Sequence, residues 1–477
     1  MFRVALVGLW LTLSACSGGG SSIDDTPTGA GVVGTAAIEV INASADAPDL
    51  TMIMNDDNLV AGLAFKEAGF VQVDSQVLDL QLQGMMVQGA VNVSDPLEIS
   101  AAADDRVSII AADVFDQLQT IVPVEPRAEV DSNQVRLRWV HAATNTAMVD
   151  ILVGDAAASL NDLAPVATLG FTEAAEAMLW SEGESRIWIT LAGDPEQVLF
   201  DTGVVSLTGG SDLVVSLVQN TGAGPAPVVM LASTGNDYFV LRDQATEAEV
   251  RVVHASAQID QIAWQLSSDS QTVAATATTS GEDSETSADD ERVGTESLLT
   301  FGQATPYERV VSGTNTFGVR PARSEQRQES QASFALGGSY SAIVFNTADA
   351  LKTLVLADDR RAVASMGKLR WVHTATLAGV VDIELQPVDS DVTASVVNRL
   401  SLAEASDYLV LVPGDYEVVV KRIEDGMPVM DPILVNVATR SVATALLLDG
   451  ADLTTPLAII ALDELAASEQ DHADEAD

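Results

Sequence analysis

One phrase recurs four times along the 477 residues, and its spacing limits what the chain can fold into. Leu137-Arg138-Trp139-Val140-His141-Ala142-Ala143-Thr144 returns as Leu369-Arg370-Trp371-Val372-His373-Thr374-Ala375-Thr376. Looser versions are Val250-Arg251-Val252-Val253-His254-Ala255-Ser256 and Ile38-Glu39-Val40-Ile41-Asn42-Ala43-Ser44, the last with Asn in the His place. Positions 137–151 and 369–383 share ten identities in fifteen at a constant offset, which marks an internal duplication. The residues before the His place, Ile41, Val140, Val253 and Val372, are separated by 99, 113 and 119 residues. That is the size of a domain, whereas solenoid units and propeller blades repeat every roughly 20 to 50 residues. The chain therefore reads as four tandem copies of one domain.

Each copy repeats the same pieces in the same order. After the opening run comes a second β-prone segment: 49–53, 149–153, 261–265 and 381–385. A short element follows, Leu169-Gly170-Phe171-Thr172-Glu173-Ala174 in the second copy, with counterparts at 63–68, 299–304 and 400–405. In the fourth copy, Tyr408 to Val412 and Tyr416 to Val420 flank Pro413-Gly414-Asp415, the pattern of a hairpin; Tyr307 to Val311 before Ser312-Gly313-Thr314-Asn315 repeats it in the third. Copies two to four close with the apolar runs 227–231, 351–356 and 456–462. About six or seven short strands per copy, rich in Val, Leu and Thr, with no amphipathic helix, predict an all-β protein. The expected architecture is four tandem antiparallel β-sandwiches of immunoglobulin-like or transthyretin-like form, over 36–130, 134–244, 247–363 and 367–465. The third copy carries a polar, acidic insertion, 268–294, expected to be disordered, and a second one from Arg320 to Gln331, expected to extend a hairpin. The tail 466–477 is acidic.

The chain begins with a singly charged segment and a run of about ten apolar residues from Val4 to Leu13, too short to span a bilayer. Leu13-Ser14-Ala15-Cys16 then resembles a bacterial lipobox, which implies cleavage after residue 15 and lipidation of Cys16, the only cysteine. Several acyl chains on one residue hold a soluble domain on a membrane. Ser17 in place of Asp after that cysteine implies, by the same resemblance, sorting to the outer membrane. The segment 16–35, rich in Gly, Ser and Thr, would serve as a flexible tether. With Cys16 used, no disulfide can form within the chain, so packed cores alone must hold it. Removing residues 1–15 takes one of the 23 basic residues, leaving 22 against 69 acidic ones, a net charge of −47. Such a surface repels nucleic acid and anionic membranes as ligands. It suits solubility in a saline medium or the capture of divalent cations.

The opening Arg251-Val252-Val253-His254-Ala255-Ser256 resembles the start of the bacterial domain-of-unknown-function family 4397, and Ala43-Ser44-Ala45-Asp46-Ala47-Pro48 supplies the second half of that family's phrase. The resemblance covers nearly all of 36–465. It implies a secreted or surface protein of tandem domains, and it brings no catalytic residues with it. Asn42 in the first copy, and the lost Pro-Asp-Ala-Pro phrase in the others, depart from the pattern.

Candidate chemistry centres on the repeat openings. His141, His254 and His373 could be metal ligands or pH switches, but a metal needs three or four converging ligands and each of their three copies offers one His and no Cys. They are read, with Trp139 and Trp371, as structural anchors of the repeat, and His472 in the tail as solvated. No Gly-x-Ser-x-Gly, His-Glu-x-x-His, phosphate-binding Gly-rich loop or Cys-x-x-Cys is present. The acidic pairs Asp56-Asp57, Asp104-Asp105 and Asp358-Asp359, and Asp389-Ser390-Asp391, are placed in loops and are the calcium candidates, though none has the ligand spacing of an EF-hand. No cofactor is expected beyond that calcium. The function expected is a non-enzymatic cell-envelope lipoprotein, held to the membrane through lipid at Cys16, that presents its domains as a surface stalk or an adhesion array for a glycan or a surface protein. The alternatives are an extracellular polymer hydrolase with a carboxylate pair at a domain junction, and a calcium-rigidified spacer.

Overall fold

In the computed structural model the described residues are 34–54, 57–86, 89–268, 296–388, 395–450 and 458–464. The signal segment 1–15, Cys16 and nearly all of the tether lie outside them, as do the acidic insertion beyond Ser268, the tail with His472, and Asp56, Asp389 and Asp391.

The described residues form four two-sheet sandwiches. Each opening strand (Thr35–Asn42, Gln134–His141, Ala248–His254 or Gly367–His373) sits inside its sheet. On one side it pairs antiparallel with a short strand: Ala68–Asp74, Met178–Ser181, Glu308–Val310 or Leu409–Leu411. On the other side the pairing is parallel, to the late strands Asp105–Ala112, Ser211–Gln219, Ser339–Phe345 and Val442–Leu448. This parallel pair is the departure from an all-antiparallel sandwich. It explains why the opening strands are buried on both faces, as parallel strands usually are. All seven residues of Gly367–His373 are buried.

The second sheet is built on Leu50–Met54, Val149–Asp155, Gln261–Ser268 and Val381–Pro387, each antiparallel to a long neighbour such as Gly183–Leu191 or Gly414–Arg422. The hairpins expected around Pro413-Gly414 and Ser312-Gly313 do not form. Leu409–Leu411 joins the opening strand of one sheet, while Gly414–Arg422 joins the second strand of the other. The turn is thus an arch that carries the chain across the core. Gly183 and Gly313 start the equivalent strands with φ of 118° and 107°, which other residues rarely adopt, and a Cβ on either would meet open space. The insertion after Arg320 does lie on a hairpin, Gly313–Pro321 against Gln328–Phe334. Among the described residues the strand segments number ten, nine, eight and eight in the four sandwiches, more than the six or seven expected.

Each sandwich has its own core. Trp139 and Trp371 are fully buried in the second and fourth. The Trp place is Val252 in the third, and Trp264 on the next strand fills the space instead, stacked on Phe317 with centroids 6.1 Å apart. Two further apolar clusters lie between sandwiches. One joins Ile41, Ala43, Ile110 and Ala112 of the first to Val140, Val214, Val229 and Leu231 of the second. The other joins Val253, Ile343 and Phe345 of the third to Val372, Leu446 and Leu448 of the fourth. The sandwiches therefore dock in pairs, sheet against sheet. The pairs also touch each other: Arg440 of the fourth sandwich is ion-paired with Asp46 of the first at 2.6 Å, and the Ala364 amide donates to the Asp46 carbonyl at 2.7 Å.

Candidate functional site

The repeated phrase splits its side chains between two cores. Leu and Trp point into their own sandwich, and the alternate Arg and Val point at the neighbouring one, following the two-residue period of a strand. At the end of the strand the His closes a turn. Nδ1 of His141, His254 and His373 accepts the amide of the residue two further on, at 3.3, 3.2 and 3.2 Å. Nε2 of His141 donates to the Ala147 carbonyl at 3.1 Å, and that of His373 to the Gly379 carbonyl at 2.7 Å. Asn42 does the same work in the first sandwich: its Oδ1 accepts the Ser44 amide at 3.2 Å and its amide group donates to Leu63. What the position demands is an acceptor for the i+2 amide, and both residue types supply one. Burial pushes all three imidazoles down, His254 to about 4, so the rings are neutral at neutral pH.

The short Leu-x-Phe-x-Glu-Ala element clamps this turn. Lys66, Thr172, Gly302 and Ala403 all have φ near 70° and donate their amides to the carbonyl of Asn42, His141, His254 and His373 in turn. Phe171 and Phe301 stand edge-on to His141 and His254, with centroids 6.3 and 5.8 Å apart. In three copies the Glu caps its own turn, as Glu67, Glu173 and Glu404 accept the amides of Ala64, Gly170 and Ser401.

Between the third and fourth sandwiches the outward Arg of each opening strand enters a reciprocal network. Arg251 Nε donates to Ser341 at 2.8 Å, and Arg370 Nε to the equivalent Thr444 at 3.2 Å. Arg370 pairs across the seam with Asp358 of the third sandwich at 2.5 Å, and Arg251 with Glu464 beyond the closing strand of the fourth at 3.5 Å. The Tyr307 hydroxyl donates to Asp358 at 2.8 Å, and that of Tyr408 to Glu464 at 2.7 Å. Each guanidinium lies over the ring of its own sandwich's tyrosine, at 4.9 and 4.7 Å. The arrangement is close to two-fold, and departs from it where Arg370 also reaches Glu464 at 3.5 Å. Burial raises the Glu464 carboxyl, with Asp358 adding to it, and raises both tyrosine hydroxyls. The first pair uses other charges. Glu39 stands in the Arg place and accepts from Arg106 at 2.9 Å, from Ser108, and from Ser233 of the second sandwich at 2.5 Å. Arg136 bridges Glu125 and Asp212 at 2.6 and 3.1 Å, and Arg138 also pairs with Glu125.

These interface groups were the ones sequence reasoning passed over. An Arg between apolar residues in a strand lacking clean alternation was the available signal. Asp358, placed in a loop as a calcium candidate, instead ends the strand Lys352–Asp358 with its side chain fully buried in an ion pair. Asp359 is bound to Lys368 at 2.6 Å, and Asp105 accepts the Ala102 amide. Among the described residues no three His, Cys, Asp or Glu side chains converge as a metal site would need.

Besides an open groove lined by 166–169 and 173–176 in the second sandwich, two others stand out among the described residues. One of about 630 Å³ lies at the seam of the first two sandwiches, lined by Arg106, Arg127, Asp212 and 234–237. Its two acids are engaged, Asp212 by Arg136 and Asp237 by the Tyr238 amide. The other, about 440 Å³ and largely apolar, lies at the end of the fourth sandwich beside Pro387, Leu409 and Tyr416.

The model of a family described as Domain of unknown function (DUF4397) matches residues 36–152 and 270–384. Each match runs out of an odd-numbered sandwich, across the seam, into the first two strands of its even-numbered partner. No curated protein matches the chain.

Proposed function

The chain is built of tandem DUF4397 repeats, and on that premise we propose that it is a non-enzymatic, lipid-anchored binding platform of the cell envelope. Cys16 is the anchor, the segment after it the tether, and the outer membrane the compartment. The observation that carries the reading is the internal use of the repeat's own chemistry. The residues best suited to catalysis, His141, His254, His373, Arg251, Arg370, Asp358 and Glu464, are each committed to a turn or a seam. The face-to-face docking favours a compact block over a beaded stalk, with the inter-strand loops facing outward as the places for recognition. A glycan or a surface protein of repetitive structure fits such a multivalent display.

Two experiments bear on this. Membrane fractionation of the Cys16→Ser protein should move it wholly to the soluble fraction; retention on the membrane removes the anchor from the reading. The soluble form on glycan and protein arrays, with and without calcium, should give ligand binding without turnover. Turnover of a polymer, abolished by one Asp or Glu substitution, would put a hydrolase in place of the platform.

A further inference from the structure

Where the two pairs of sandwiches meet, three cations gather in a strongly acidic chain. Lys66, on the turn after the third strand of the first sandwich, reaches the Thr221 hydroxyl of the second at 3.3 Å and lies 4.8 Å from the Phe65 ring centroid. Arg361, in the segment linking the third and fourth sandwiches, lies 5.8 Å from the same ring and donates to the Ala47 carbonyl at 2.6 Å. Arg242, leading from the second sandwich to the third, rests against Gly337 and Gly222, the residue after Thr221. All three are partly buried. Among the described residues Arg242 has no hydrogen bond and no ion pair. Asp359, Asp49 and Asp46 act on Arg361, but the first also binds Lys368 and the last Arg440, Asp49 is exposed, and Glu67 caps its own turn, so none of them serves Arg242.

Clustered like charges that are partly desolvated cost free energy unless an anion joins them. We infer that Lys66, Arg242 and Arg361, with the Thr221 hydroxyl, form a binding site for a small multivalent oxyanion of the phosphate or sulfate type. The ligand would bridge the first pair of sandwiches to the second. Two guanidinium groups offer the planar donors that oxyanions prefer, and Lys66 adds a point charge. Burial, with Arg242 and Arg361 close by, holds the Lys66 ammonium down to about 7; Asp359 opposes the shift. A bound dianion would restore its proton, so binding near neutral pH should take up protons.

The test is titration calorimetry of the full chain with inorganic phosphate and with sulfate, against chloride at matched ionic strength. The expected result is saturable one-to-one binding of either dianion and, for sulfate, which does not itself titrate in this range, a heat that changes with the buffer's ionisation enthalpy at pH 7.5 but not at pH 5.5. In Arg242→Ala and in Lys66→Gln, each checked for unchanged circular dichroism, affinity should fall at least about tenfold, one lost charge-assisted contact. Titrating a sulfated oligosaccharide and inorganic sulfate in parallel separates a glycan-borne group from a free ion. Heats equal to those with chloride, or unchanged affinity in both variants, would overturn the site.

Discussion

Arg370 is the point at which the paired-sandwich arrangement can be tested most sharply. Its guanidinium donates to the Ala357 carbonyl at 2.7 Å, to Asp358 at 2.5 Å and to Thr444 at 2.9 Å, and lies 3.5 Å from Glu464. Both acid side chains are completely shielded from solvent. Arg370→Met keeps much of the volume and strips the charge, leaving the buried Asp358 without its cation and Glu464 with Arg251 alone. Breaking one side of a buried ion pair costs about 3–5 kcal/mol. Hydrogen exchange on the amides of Gly367–His373 should accelerate by about two to four orders of magnitude, since each 1.4 kcal/mol is tenfold. Asp358→Asn in the same chain should recover part of the loss, a coupling of about 0.5–3 kcal/mol. The pH dependence has a definite sign. A carboxyl whose folded pKa is raised, as that of Glu464 is, binds its proton more readily folded than unfolded. The penalty in Arg370→Met should therefore shrink as pH falls from 7 towards 5. An exchange change under tenfold, or strictly additive effects of the two substitutions, would refute the reasoning.

Trp371→Ala and Trp139→Ala should each destabilise their own sandwich by about 3–5 kcal/mol, measured as a lowered denaturation midpoint, because each empties the centre of a core. His254 is held well below its ordinary value, so the folded chain takes up its proton less readily than the unfolded one. Its contribution is complete above pH 6.5 and is lost as pH falls from 6.5 towards 4, by up to about 3 kcal/mol. His254→Asn, which borrows the first sandwich's solution, should flatten that part of the stability–pH curve; an unchanged slope would assign the acid loss to other groups.

The repeat and its β character were legible because they rest on local pattern: the ten identities in fifteen between 137–151 and 369–383, and the short Val-rich runs between turns. The arches were not. Pro413-Gly414 between two β-prone runs is what a hairpin shows, and only the pairing of Leu409–Leu411 with Gly367–His373, some forty residues earlier, rules it out. Parallel pairing of the opening strand was hidden for the same reason, since its partner lies about seventy to ninety residues away. The seams were half visible. Val372 and Arg370 share one face of their strand, and a strand that buries both faces shows weak alternation. What the sequence lacked was any sign of which neighbour covers that second face.

That second face has a consequence for how the chain comes to be folded. An opening strand such as Gln134–His141 cannot complete its sheet until Ser211–Gln219 has been made, so each sandwich closes late and through distant contacts, the slow kind of topology. When an odd-numbered sandwich does close, it presents Ile41, Ile110 and their neighbours, or Val253 and Ile343, to water until the next hundred residues have folded against them. An apolar sheet face held open for that interval invites association with other chains. The smallest piece that can be cut out and remain soluble is thus two sandwiches long, and a truncation after the first or the third should aggregate where one after the second does not.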